Sequence, residues 1–471
     1  MISEFKVNYL EEPKLLFNNR GEAYNPCIGL IKYGPRFSGN INLEHKQFKV
    51  GIIGSNKTIS QTRLIFESFE YKIHPRNQIR PWKIPFPGLN KDSPLRFSFI
   101  FDPSWEAKFT FDEFNEIEKL NNKNDRAEYT LNLIKEKMIS IYNKETPPDI
   151  ILICIPDEIF AFCTDNKLIK PIIKIDDDDF HNRIKLIAMK LKMPTQLIRP
   201  ETLQFEKTQE RFLVAWNLVV GMLYKCQKGH PWKLTYLEDG TCYVGISFFK
   251  EKGKDTIRAS LAQIFLDTGE SFVLRGESFS WANPKFPKSP HLSRDNAINI
   301  IELVLKQYKI NKDGKEPQRI VIHKSSNFWD DELEGFKEAS KNIPQKDFIA
   351  ILESDLKFFT IGKYPILRGT LISSNDYKNN FLFTTGFVPS LETYPGLSIP
   401  RPLLIRPFQL KSDITKICKE ILSFTKLDWN NTFVYSKYPV TLSVSEKVGN
   451  VMAESSAQNV EELDSHYFYY M

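Results

Sequence analysis

The residues best suited to chemistry lie between His181 and Lys225. His181 and Lys185 stand four apart in HNRIKLIAMKLK, a stretch with helical apolar spacing, so the imidazole and the ammonium share one face. Pro194 and Thr195 end that helix, and Gln196 opens an extended run. Lys225 closes a second apolar helix, AWNLVVGMLYK, shortly before Gly229. An imidazole, an amide and two ammonium groups offer several hydrogen-bond donors and little negative charge, a set suited to a terminal phosphate. His and Lys at this spacing also occur on ordinary solvated helix faces, so the rest of the chain has to decide.

Other groupings that suggest chemistry resolve into structure. GIIGSNKT has the look of a phosphate loop, but that loop needs Gly directly before its Lys, and Asn56 stands there. Gly51 and Gly54 then read as turn residues. Asp176 to Asp179 put four carboxylates just ahead of His181; adjacent residues cannot all face one ion without a dedicated loop, so a solvated linker is expected. Asp330, Asp331, Glu332 and Glu334 fall in DDELEG, where acidic side chains favour a helix N-terminus. His323 ends an apolar strand and reads as a packed histidine. No serine sits in a nucleophile elbow, which excludes a hydrolase triad of that type.

The elements that must position these residues alternate. FKVGIIG followed by NKTISQTRLIFESF is a strand, a glycine-bearing turn and a helix, the βα unit of a Rossmann-like sheet. LRFSFIFD is a strand, FTFDEFNEIEKL and RAEYTLNLIKEKMISIYN are amphipathic helices, and PDIILICIPDEIFAFC is a buried strand entering a helix. This first α/β domain, with an entry segment at PKLLFNNRG, spans residues 1–205. Residues 206–471 open β-rich with TCYVGISFF and the hairpin SLAQIFLDTGESFVLRGESFSW, then alternate helix and strand through DNAINIIELVLKQYKI, QRIVIHKSS, FWDDELEGFKEASK and FIAILES, which suits an RNase H-like fold. No Pro/Ser/Gly-rich linker separates the halves, so two packed domains are expected. HYFYYM at the end reads as a buried terminal strand.

Length and composition agree. The 471 residues suffice for two or three domains with cores, and 41% hydrophobic with 13% aromatic residues excludes a disordered chain. A net charge of +6 is compatible with nucleic acid without requiring it. The six cysteines (27, 154, 163, 226, 242, 418) form no CxxC pair, which argues against a zinc or disulfide framework and fits a reducing, cytoplasmic setting. MISEFKVNYLEEPK holds no apolar signal region, and no apolar run approaches the roughly 18 residues of a membrane span.

The phosphate set and several later stretches resemble Argonaute proteins. His181, Lys185, Gln196 and Lys225 match the MID-domain pocket that holds a guide strand's 5′ phosphate. KGHPWKL followed by YVGISF, then RIVIH, PILRGTLI, FLFTTG, RPLLI, FTKLDWNN (as a penultimate helix) and YPVTLSVSEKVG are similar, in that order, to stretches of a PIWI domain. The resemblance covers nearly the whole chain and leaves room only for MID and PIWI, as in short prokaryotic Argonautes. It implies a guide RNA, a complementary single-stranded DNA target, and a partner protein with an APAZ region fused to a TIR, sirtuin-type or nuclease effector. It also implies Mg²⁺ at the guide phosphate with help from the terminal carboxylate of Met471, and backbone contacts from Arg368 and Lys426.

Cutting by a PIWI domain needs carboxylates converging on two ions about 4 Å apart. The matching positions here are Ser247 in YVGIS and Lys324 or Ser325 after IVIH. A serine cannot replace an anionic ligand and a lysine repels the metal. Glu277 and Glu446 are acidic, but two aspartates would still be missing. The expectation is therefore a guide-binding protein without slicing activity, that signals through its partner in defence against plasmids or phage. The rivals are an active guide-directed nuclease and a protein scaffold on an RNase H-like fold.

Overall fold

The computed structural model describes the chain except residues 1–4, 38–44, 77–79, 164–176, 205–208, 252–256, 267–269, 282, 284, 286–288, 359–360, 363–364, 395, 397, 434 and 458–462. The N-terminal segment holds strand β1 (Phe5–Tyr9), the short strands β2 (Leu15–Leu16) and β3 (Glu22–Ala23), and helix α1 (Pro26–Tyr33). Helix α1 was not foreseen from the sequence. Its start is nevertheless written there: Asn25 caps the Ile28 N–H and Pro26 takes the first turn, where a missing N–H costs nothing.

The first half is a parallel sheet in the order β5-β4-β6-β7, made by β4 (Lys46–Gly54), β5 (Phe97–Lys108), β6 (Ile150–Cys154) and β7 (Thr195–Ile198). Helices α2 (Asn56–Phe69), α3 (Phe111–Lys119), α4 (Lys123–Tyr142), α5 (Asp157–Cys163), α6 (Asp177–Lys190) and α7 (Pro200–Gln204) connect and cover these strands. The GSNKT segment is a helix start and not a phosphate loop: Ser55 and Thr58 form a reciprocal capping box. The acidic run does not form a linker: α6 begins at Asp177, and Asp176 lies outside the described residues.

Helix α8 (Arg211–Gln227) leads through β8 (Lys233–Leu234) into the second half. There β9 (Thr241–Lys250), β10 (Ile257–Leu266) and β11 (Ser271–Ser280) pair antiparallel, helix α9 (Arg294–Asn311) crosses over, and β12 (Arg319–Lys324) pairs parallel with β9. Helix α10 (Asp330–Ala339), β13 (Gln345–Glu353), β14 (Thr370–Ser374), β15 (Asn380–Leu382) and β16 (Leu403–Gln409) complete a nine-stranded mixed sheet, followed by helices α11 (Ile414–Phe424), α12 (Val440–Ser443) and α13 (Ser445–Ala457). The order is β1-β14-β15-β16-β13-β12-β9-β10-β11, so the chain's first strand forms the edge of the second-half sheet.

Packing fixes how α12 meets this sheet. A Cβ at Gly245 of β9 would stand 1.8 Å from the Thr441 carbonyl oxygen, so only glycine admits the helix there. Two corrections concern the end of the chain. FTKLDWNN is not a helix: α11 stops at Phe424 and the segment turns, placing the Trp429 indole N–H 3.1 Å from the Trp232 carbonyl and the Trp232 N–H 3.1 Å from that of Lys426. The terminal HYFYYM is buried, but Tyr467–Tyr469 form a 3₁₀ turn and not a strand, with Phe468 edge-on to Tyr224.

Candidate nucleic-acid interface

The strand–helix alternation brings the four predicted phosphate ligands to one place. Helix α6 presents His181 and Lys185, β7 presents Gln196, and the last turn of α8 presents Lys225. Lys225 is buried, and its Nζ donates to Gln196 Oε1 at 2.8 Å and to the Thr195 carbonyl at 3.1 Å. Burial pushes its pKa down to about 7, and the nearby Lys447 charge adds to that shift. The His181 imidazole is held well below its usual pKa, first by burial and then by the charges of Lys185, Lys225, Arg199 and Lys447.

Lys185 is also buried, and its Nζ donates to the Tyr470 carbonyl at 2.8 Å. That bond carries the chain terminus to the pocket and leaves Met471, 8% exposed, beside it. Arg199, directly after β7, and Lys447, on α13, join the cluster without having been picked from the sequence. The pocket thus concentrates positive charge around an uncharged imidazole and amide, an arrangement that a multiply charged anion would relieve.

A resident Mg²⁺ does not fit the side chains of this pocket. Lysines and arginine repel it, and the Gln196 carbonyl is already taken by Lys225. The described residues contain no cluster of three or more metal-ligating side chains.

Arg368 and Lys426 are corrected outright. Both are buried, 1% and 2% exposed, and both hold Glu12: Arg368 Nε lies 2.8 Å from Glu12 Oε2, and Lys426 Nζ 2.8 Å from Oε1. Arg368 further donates to the Thr384 carbonyl and Thr425 Oγ1 and stacks over Tyr435; Lys426 donates to the carbonyls of Pro13 and Tyr24. Both side chains are thus spent on partners inside the protein. The pair instead locks the N-terminal segment to the turn after α11.

At the positions read as degenerate, Ser247 lies buried on β9 with its Oγ unpartnered, and Ser325 is exposed past the end of β12. Between them Lys324 is fully buried. Its Nζ lies 2.7 Å from both oxygens of Glu332, 3.0 Å from His291 Nδ1 and 3.2 Å from the Asn327 carbonyl. Burial brings Lys324 down to about 8 against the pull of Glu332. Burial alone would raise the Glu332 pKa, but bonds from His291 and Lys324 hold it low. Glu332 also accepts from the Trp329 N–H, so its capping role is real but only part of its work. His323 is fully buried and bonded to Thr441 Oγ1, a packed histidine as expected. Glu277 is exposed on β11.

The architecture matches solved Argonaute structures. The chain superposes on Clostridium butyricum Argonaute bound to a guide DNA and a 19-mer target DNA with a TM-score of 0.65 at 18% identity, covering 96% of this chain and 53% of that one. It superposes on Drosophila Piwi with a TM-score of 0.58 at 14% identity (99% and 56% covered), and on A. aeolicus Argonaute with 0.55 at 16% (98% and 55%). No protein-family model and no curated protein matches. The fold is therefore Argonaute-like, a Rossmann-like parallel sheet joined to an RNase H-like sheet, and the chain spans a little over half the length of these structures.

Proposed function

We propose that this chain binds the 5′ phosphate of a guide strand, by preference RNA, and uses it to capture complementary single-stranded DNA. The observation that carries the reading is the convergence of His181, Lys185, Gln196, Lys225 and the chain terminus on one strongly positive pocket. Base pairing would supply sequence recognition, and the protein would hold the phosphate and the backbone. Mg²⁺ would enter with the guide's phosphates and the Met471 carboxylate, since the side chains alone do not suit it.

The second-half sheet then serves as a platform and not as a nuclease. Where a metal-dependent site would need free carboxylates, Lys324 places an ammonium, and Glu332 is consumed in neutralising it. The output belongs to a partner: an APAZ-type protein carrying a TIR, sirtuin-type or nuclease effector, acting in cytoplasmic defence against plasmids or phage. Support for a partner comes from the edge strand β1, whose alternate residues Phe5, Val7 and Tyr9 are 49%, 64% and 48% exposed on one face.

The test is a competition between 5′-phosphorylated and 5′-hydroxyl guides of identical sequence. The phosphorylated guide binds more tightly, because charge-assisted contacts of this kind are worth about 1.5–3 kcal/mol each. Lys185→Ala erases most of the difference. Equal affinities in the wild-type protein, measured with the partner present, would remove the phosphate assignment.

A further inference from the structure

Lys324, the last residue of β12, runs into a closed cage of acceptors and rings. Its Nζ has both Glu332 oxygens at 2.7 Å, His291 Nδ1 at 3.0 Å and the Asn327 carbonyl at 3.2 Å. The Phe248 and Phe328 rings face the same nitrogen, with centroids 5.5 and 5.6 Å away. Lys324, Glu332 and His291 are all buried. A carboxylate, a carbonyl and aromatic faces around one nitrogen are the partners by which proteins recognise alkylammonium ions.

The walls of the cage have supports of their own. Glu332 Oε1 accepts the Leu292 N–H at 2.8 Å, and its Oε2 accepts the Trp329 N–H at 3.0 Å. His291 Nδ1 lies 3.0 Å from Glu332 Oε2, and the imidazole stacks on Trp329 with centroids 3.9 Å apart and planes 12° from parallel. Phe328 packs against Phe336 and Phe348. Glu332 therefore ties the entry of α9 to the start of α10, and the lysine enters from β12 as a third party. Size decides which cation suits the cage. Distances of 2.7–3.2 Å fit N–H bonds to oxygen and nitrogen. Mg²⁺ needs oxygens at roughly 2.0–2.1 Å and keeps several waters. The two rings give a metal ion no lone pair, whereas their faces attract an ammonium.

We propose that Glu332, His291, the Asn327 carbonyl and the Phe248 and Phe328 rings form a binding site for a primary alkylammonium ion, filled in this chain by its own Lys324. The lysine is a tethered ligand. With its side chain shortened, the site takes up a free amine of matching length and passes over Mg²⁺ and Mn²⁺. The end of β12 thereby carries a built-in cation that needs no metal supply, and through Glu332 that cation steadies the starts of both helices.

The experiment follows thermal unfolding of the full-length K324A variant, which lacks the atoms from Cγ to Nζ, in n-propylammonium chloride, n-propanol, MgCl₂ and MnCl₂. K324A should unfold several degrees below wild type, because Glu332 is left buried without its cation. n-Propylammonium, which replaces the missing atoms, should raise the midpoint saturably. n-Propanol, of the same length without the charge, should need about tenfold more or higher for the same rise. Wild type, its site already filled, should show no such rise, and neither should K324A/E332Q, which lacks the anion. The divalent salts should move K324A no more than they move wild type. A second comparison holds if K324A does not fold: K324M, which buries Glu332 without a cation, should unfold below K324M/E332Q, in which both charges are gone. No guide strand enters these measurements, so they stand apart from the guide-binding proposal. A K324A protein as stable as wild type, equal rescue by propanol, rescue by a divalent metal as large as that by the amine, or K324M at least as stable as K324M/E332Q overturns the assignment.

Discussion

Lys225 shows how a single buried ammonium sets the behaviour of the pocket. Its folded pKa near 7 lies below the unfolded value of about 10.4, so between those limits the unfolded chain binds more protons. Its cost to stability is therefore full at and below pH 7 and fades as pH rises. Phosphate binding reverses this preference by favouring the charged form. Binding of a 5′-phosphorylated guide should accordingly take up a proton above pH 7, and the preference over a 5′-hydroxyl guide should shrink from pH 7 to pH 9. Below about pH 6 the phosphate itself loses charge and the preference weakens again. Competition at pH 6.5, 7.5 and 8.5, with calorimetry in buffers of different ionisation enthalpy, checks this; a flat profile would separate Lys225 from the phosphate. The candidate residues were legible where local geometry fixes them: His181 and Lys185 by helical spacing, Gln196 by the Pro194 break. Arg199 and Lys447 were not, because only the meeting of β7, α6 and α13 brings them in. Arg368 and Lys426 misled for the converse reason. Their types suit phosphate, but Glu12, more than 350 residues away in sequence, claims both.

Among the elements, that same Glu12 is a buried long-range tie. It fixes the segment between β1 and β2 to the turn before β14 at Arg368 and to the turn at Lys426. Burial alone would raise its pKa, but the two cations outweigh that and keep it ionised. Glu12→Gln should leave two buried positive charges without an anion and cost about 3–5 kcal/mol, read as a lowered unfolding midpoint. An exposed control, Glu22→Gln, should change stability by less than about 1 kcal/mol, since its bridge to Lys14 lies at the surface. A Glu12 variant as stable as the control would show the tie to be dispensable. Strands and long helices were legible because apolar period alone defines them. The terminal HYFYYM was read as a strand from its aromatics, yet its rings pack around Tyr224 and need a tight turn to do so. Helix α1 escaped notice because PCIGLIKY is short and has only weak apolar periodicity, although Asn25 and Pro26 announce its start.

For the molecule as a whole, the two proposals about output can be separated by experiment. A guide-loaded protein with Mg²⁺ or Mn²⁺ should leave a matched target uncut once any partner nuclease is disabled. Ser247→Asp alone should not restore cutting, because Lys324 still presents its ammonium beside that strand. Cleavage at one fixed distance from the guide's 5′ end would show that other carboxylates serve. The last prediction concerns the partner. The nine-stranded sheet ends at β1, where Phe5, Val7 and Tyr9 continue an apolar face beyond Ile372 and Phe381 of β14 and β15. Each paired residue shares a face with its neighbour, so Val7, 64% exposed among the described residues, stands beside Ile372. A partner that adds a strand to this edge and covers those rings would bury surface at little conformational cost. Co-expression with an APAZ-type neighbour should give a 1:1 heterodimer with a buried area at or above about 1,600 Å². V7K/Y9K, which alters only exposed positions, should keep guide binding and thermal stability but weaken that heterodimer by about tenfold or more. With a TIR or sirtuin-type partner, NAD⁺ loss should require guide and matched target together, because the duplex must favour one of two states of the dimer. A V7K/Y9K protein that still pairs and signals at wild-type strength would move the interface elsewhere. A wild-type chain that captures target with full affinity alone, and never associates with its neighbour, would remove the partner from the mechanism.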